Sequence, residues 1–309
     1  MLPFKTLCLS ALVLSLSSVT YAQTELPGPL IDAEWLAEHE SDVIILDVRK
    51  DIESYLTDGH IDGSRLVNVK KIRFKQTHNE LKLTGMMPTL QQYQQLISSM
   101  GLSENDTVII SHKGETAGHV AGAARLYWQM KFFGFKNVAM LDGGNRAWEE
   151  ALGDLTQDNV DITPTQFSGG TLHTESLATV KDVEFALTND NSVLIDTRNL
   201  RFHIGLEKRS YVSKYGHIPG SRLLPYKFLF PSKGPALFFD KDTLDSIINS
   251  LRIDKNKNLI LYCNSAYECS AVWFALHKIM GIKNVTIYDG SLNEWTQDDE
   301  HPMTRQITQ

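Results

Sequence analysis

Two rhythms of apolar residues alternate along this chain. Short, largely apolar runs occur at 43–46, 108–110 and 138–141, and again at 192–195, 259–262 and 285–288. A run without polar alternation predicts a strand covered on both faces, as in a parallel sheet. Between these runs, 90–100, 120–133, 244–251 and 270–280 space their apolar residues at helical intervals. Gly101, Gly134 and Gly281 stand where such helices should end. The alternation predicts an α/β fold, each sheet parallel and flanked by helices. In such folds the chemistry gathers at the carboxyl ends of the strands.

The pattern also occurs twice. Val43-Ile44-Ile45-Leu46-Asp47-Val48-Arg49 returns as Val193-Leu194-Ile195-Asp196-Thr197-Arg198. Gly59-His60-Ile61-Asp62-Gly63-Ser64-Arg65-Leu66 returns as Gly216-His217-Ile218-Pro219-Gly220-Ser221-Arg222-Leu223. Phe133-Gly134-Phe135-Lys136-Asn137-Val138 is echoed by Met280-Gly281-Ile282-Lys283-Asn284-Val285. Leu141-Asp142-Gly143-Gly144 with Trp148 is echoed by Tyr288-Asp289-Gly290-Ser291 with Trp295. The landmarks keep their order at offsets of roughly 150 residues, too long for a solenoid and right for two copies of one domain. Four segments follow: 1–22, a first copy at 23–156, a polar linker at 157–173 around Pro164 and Gly169-Gly170, and a second copy at 174–309.

Composition narrows the function. The formal charge is -7, from 37 acidic and 30 basic residues, which opposes general nucleic-acid binding. A small anionic substrate stays open, because one pocket can be positive in an acidic protein. Segment 1–22 reads as a signal peptide: Lys5, an apolar run from Leu7 to Val19, then Thr20-Tyr21-Ala22 as a cleavage pattern. That run is short for a bilayer, which takes about 20 residues. The expectation is a periplasmic or otherwise exported protein, with no membrane attachment after cleavage. Loss of Cys8 with the signal leaves only Cys263 and Cys269, which do not make a disulfide framework.

Cys263 ends the strand at 259–262 and opens the loop Asn264-Ser265-Ala266-Tyr267-Glu268, which runs into a helix. Backbone N–H groups in such a loop favour an anion and depress a thiol pKa. Position alone leaves open a small buried cysteine without chemistry. In the first copy Ser111-His112 takes the cysteine's place. No Gly-x-Ser-x-Gly surrounds Ser111, which speaks against a hydrolase.

Taken together, Gly216-His217-Ile218-Pro219-Gly220-Ser221, Tyr288-Asp289-Gly290-Ser291 with Trp295, Leu141-Asp142-Gly143-Gly144 with Trp148, and the Arg201-Phe202 stretch resemble the tandem-domain rhodaneses, the thiosulfate and 3-mercaptopyruvate sulfurtransferases. The resemblance implies two tandem rhodanese-like domains, the first non-catalytic and closing one wall of the cleft. It implies Cys263 as the sulfur-carrying nucleophile and Arg201 as a residue facing the donor. Asn264, Ser265, Ala266, Tyr267, Glu268 and Cys269 would line the substrate, with Asp196, Arg198 and Arg222 as supporting residues. The implied partners are a small sulfur donor, a thiol or cyanide-like acceptor, and a protein sulfur acceptor. No metal or organic cofactor is implied.

The loop departs from the family. Ala266 stands where a glycine is usual, which matters if that position needs positive φ. The loop has no Arg or Lys, and Glu268 adds a negative charge. Without an arginine closing the loop, the phosphatase relative is disfavoured. Two other readings stay open: a dithiol oxidoreductase using Cys263 and Cys269, and a degenerate rhodanese that only binds. His60 and His217 recur in both copies and read as turn-organising residues. Export predicts that the protein recovered from its host begins at Gln23, which an intact mass would check.

Overall fold

The structure, a computed structural model, describes residues 24–78 and 80–307. Segment 1–22, where a signal peptide is expected, lies outside the described residues. The first copy contributes β1 (Leu30–Ile31), β2 (Ile44–Arg49), β3 (Arg65–Asn68), the hairpin β4 (Phe74–His78) and β5 (Leu81–Met86), β6 (Val108–His112) and β7 (Val138–Leu141). The second contributes β8 (Leu177–Ala178), β9 (Ser192–Asp196), β10 (Arg222–Leu223), β11 (Asn258–Tyr262) and β12 (Val285–Tyr288). Two five-stranded sheets result, in the orders β1-β7-β6-β2-β3 and β8-β12-β11-β9-β10. The orders correspond strand for strand, and every pairing within them is parallel. The expected fold class is the observed one, and the central strands are buried as their apolar runs require.

The helices start and stop where side-chain chemistry dictates. Thr89 forms a capping box with Gln92 ahead of Leu90–Ser99, and Thr116 accepts from His119 N ahead of Ala117–Phe132. Asp240 caps Lys241–Ser250, three residues earlier than periodicity suggests. The last long helix begins at Glu268, not Ser270, and widens into a π-helical stretch at Phe274–Ile279. Gly134 and Gly281, at φ 78° and 79°, end corresponding helices with the left-handed turn that glycine takes without strain. Residues 157–173 form no helix or strand and run against the first copy, with Thr165 N donating to Ser98 O and His173 N to Phe132 O.

Polar ties repeat with the strands. Arg49 donates to Asp47 and to Gly59 O; Arg198 donates to both oxygens of Asp196 and to Gly216 O. All four side chains are buried. Each pair therefore pins the Gly-His turn to the end of its strand. His60 and His217 pair with Thr156 and Thr304 through reciprocal backbone hydrogen bonds, closing each copy on itself.

The two copies share one core. The largest apolar cluster runs from Leu46 and Ile110 to Leu261 and Ile287. Ala117–Phe132 packs on the Glu268–Trp273 helix, with Tyr127 edge-on to Phe274 at 4.9 Å. The segment after the third strand of each copy also crosses to the other. Met87 N donates to Asp289 Oδ2, and Phe238 N to Asp142 Oδ1. Arg125 is buried across this junction. Its Nη1 lies 2.7 Å from Asp289 Oδ1 and donates to Ala266 O, and its Nη2 donates to Gly85 O. Arg125→Ala leaves the Asp289 charge buried without its partner, a loss of about 3–5 kcal/mol. Urea denaturation should show it as a lowered midpoint.

Candidate active site

Cys263 follows β11 directly, at the carboxyl end of the central strand, and its side chain is 1% exposed. The loop after it is held from outside. Leu292 N donates to Cys263 O and Asn293 N to Asn264 O. Arg125 and the Ser270 hydroxyl both donate to Ala266 O. Ser291 Oγ accepts from Cys263 N and Ala266 N while donating to Tyr288 O. With the carbonyls taken, the remaining N–H groups turn inward. Ala266 does take the left-handed conformation, at φ 50°, which costs a non-glycine residue about 1–2 kcal/mol.

Those inward groups set the charge on sulfur. Burial alone would raise the Cys263 thiol. Against it, the Cys269 thiol donates to Cys263, as do the N–H groups of Cys269, Ser265 and Glu268, and the balance brings the pKa down to about 5. Cys263 is thus a thiolate at neutral pH. Cys269, fully buried, is pushed well above its ordinary value by burial and by the hydrogen bond it gives to Cys263. It stays a thiol and acts as a donor.

A cavity of about 350 Å³ opens on Cys263. Asn264, Ser265, Tyr267 and Glu268 line it from the loop, and Arg73, Arg209 and Tyr211 from outside. Arg73, just before β4 in the first copy, donates to Ser265 Oγ at 2.6 Å and stacks on Tyr267. Gly85 lets β5 pass close by: a Cβ there would lie 2.7 Å from the Arg73 guanidinium and 3.1 Å from Ser265 Cβ. The positive charge missing from the loop therefore comes from outside it.

The sequence-derived residues divide. Asn264, Ser265, Tyr267 and Glu268 line the cavity with Cys263, whereas Ala266 and Cys269 are buried behind it. Arg201 does not line it. Its side chain is 63% exposed and paired with Glu207 at 2.6 Å, because it sits on the outer side of the short Leu200–His203 turn. Asp196 and Arg198 form the buried tie described above, and Arg222 is exposed on edge strand β10. Sequence reasoning missed Arg73, Arg209 and Tyr211. Arg209 and Tyr211 were within reach, in the Lys208-Arg209-Ser210-Tyr211 run before Gly216. Arg73 belongs to a crossing segment, and no periodicity announces it. Among the described residues, no three His, Cys, Asp or Glu side chains converge as a metal site requires.

The corresponding place in the first copy holds Ser111 and His112 instead of a cysteine. His112 is buried, and burial, followed by the neighbouring His119 and Arg49 charges, takes its pKa down to about 3. Ser111 donates to Asn145 rather than to His112, so no Ser-His pair forms.

The family model described as Rhodanese-like domain matches residues 32–151 and 179–298. The chain is 25% identical over 276 residues to the 3-mercaptopyruvate sulfurtransferase of Escherichia coli K12, covering 86% of this chain and 94% of that protein. It is 27% identical over 283 residues to the sulfur carrier protein TtuD of Thermus thermophilus, covering 87% and 94%. Among solved structures, it resembles the anaerobic ergothioneine biosynthesis enzyme of Chlorobium limicola with a TM-score of 0.78, at 21% identity over 94% of this chain and 74% of that one. At that identity the likeness concerns the fold.

The thiolate predicts a simple pH profile. Inactivation by iodoacetamide should depend on a group of pKa about 5, with the fast form above that pH. Cys269→Ala removes a donor to the thiolate and should move the midpoint upward.

Proposed function

The chain belongs to the rhodanese-like domain family, matched in both copies, and on that footing we propose that it is a sulfurtransferase in which Cys263 carries sulfur as a persulfide between a small donor and a nucleophilic acceptor. The observation that carries this reading is a strand-end cysteine, its pKa lowered by the hydrogen bonds of its own loop, in one small cavity that Arg73 and Arg209 also line. A sulfurtransferase and a sulfur carrier protein among its relatives support the same chemistry.

The Cys263 thiolate attacks the outer sulfur of the donor. An S–S bond forms, the bond from that sulfur to the rest of the donor breaks, and the electron pair departs with the remainder. Arg73 and Arg209 suit a donor of the thiosulfate or 3-mercaptopyruvate type, because an anionic remainder pairs with guanidinium. The inward N–H groups then hold the persulfide. A thiol, a cyanide-like nucleophile or a protein acceptor takes the outer sulfur, and Cys263 leaves as a thiolate. Its low pKa makes it a good leaving group. A dithiol mechanism fits less well, since Cys269 is held as a buried thiol and needs to be a thiolate to attack.

Incubation with thiosulfate, and separately with 3-mercaptopyruvate, should add one sulfur atom to the intact mass. Cyanide should remove it, and Cys263→Ala should abolish it. A well-folded protein that gains no sulfur from either donor refutes the reading.

A further inference from the structure

Glu268 has no part in the transfer as written so far. Its side chain lines the same cavity as Cys263, and its Oε2 is buried with no hydrogen-bond partner among the described residues. Its own N–H donates to the Cys263 sulfur, and the Cys263 charge acts on its carboxyl. Two negative charges in one small buried space oppose each other, and one of them is neutralised. The groups acting on the carboxyl are Cys263 and Asp196, which disfavour its charge, and Arg198 and Arg209, which favour it. Tyr226 and Tyr267 also lie within its field, and Arg73 lines the same cavity. Arg198 is already held by both oxygens of Asp196, and Arg73 by Ser265. Burial first, and then the Cys263 charge, push Glu268 up to about 8. At neutral pH the pair stores its proton on oxygen and its charge on sulfur.

We infer that Glu268 is the proton carrier of the transfer cycle, and that it favours donors whose leaving atom is carbon, a thiol on the carbon beside a ketone, over donors such as thiosulfate. The inference rests on the persulfide reading of Cys263. When the thiolate attacks the sulfur of an α-mercapto ketone, the S–S bond forms, the S–C bond breaks and the electron pair goes to carbon as an enolate. That sulfur is oxidised to the sulfane level and the carbon is reduced, so no outside oxidant is needed. The donor's thiol proton stays on the outer sulfur. The enolate takes its proton from Glu268 and leaves as a methyl ketone. In the second half the Glu268 carboxylate takes the proton of the acceptor thiol, whose thiolate attacks the outer sulfur. Cys263 returns as thiolate and Glu268 as acid. Thiosulfate leaves as sulfite, which needs no proton.

Arg73, Arg209, Tyr267 and Cys269 fit this role poorly. Guanidinium groups hold their protons too firmly. Tyr267 is pushed up to about 12 by burial, and its hydroxyl is given to Gly118 O. Cys269 does not line the cavity.

The test is single-turnover persulfide formation with 3-mercaptopyruvate and with thiosulfate, from neutral to alkaline pH, in the intact protein and in Glu268→Gln. The ratio of the mercaptopyruvate rate to the thiosulfate rate should fall about a hundredfold in the variant, the size of a lost general acid. In the unaltered protein that ratio should fall as pH rises through about 8, and in the variant it should be flat. A wild-type ratio independent of pH overturns the inference, even if the variant does not fold. So does an equal slowing with both donors, which would make Glu268 a support of the loop. If the unaltered protein forms no persulfide from either donor, the persulfide reading itself falls, and this inference with it.

Discussion

The chemistry of this molecule depends on where the carbonyls of one short loop point. Peptide groups are two-ended, so a loop that turns its N–H groups inward must satisfy its carbonyls elsewhere. Here Leu292, Asn293, Ser270 and Arg125 receive them, and Ser291 holds two of the amides. The strain at Ala266 is affordable because those contacts over-determine the turn. Cys263 becomes a thiolate as a result, although its burial alone would keep the proton on.

The loop is built by both copies. Each sends the segment after its third strand into the other, where an aspartate at the end of the last strand receives it. The exchange is symmetric in backbone and asymmetric in chemistry. At the first copy's end Ala236 N donates to Gly114 O, two residues beyond a His112 whose pKa burial holds down. At the second copy's end the exchange meets a thiolate, and the crossing segment brings Arg73 with it. The loop can therefore do without a basic residue of its own.

Much of the fold was legible because it is written in local patterns. Largely apolar runs marked the buried parallel strands, and the doubled landmarks marked the doubled domain. Helix starts were misread by two or three residues where a capping side chain or an early loop residue decided them, as at Asp240 and Glu268. At the site, Cys263 and the loop side chains were legible from their place at a strand end. Arg201 was carried over from the family's arginine-containing stretch, but Glu207, six residues on, engages it at the surface. Arg73 and Arg125 were invisible for a different reason: they act 192 and 141 residues away in sequence. Contacts of that range leave no periodic trace.

The crossing segments also bear on inheritance. A duplicated domain without a cysteine of its own is ordinarily free to erode. This one is not, because its sister's Cys263 loop leans on Arg125 and its sister's cavity on Arg73. Drift can erase the first copy's chemistry but not its shape. The duplication has become a ratchet: two descendants of one ancestral unit now make a single catalyst that neither half could reconstitute alone.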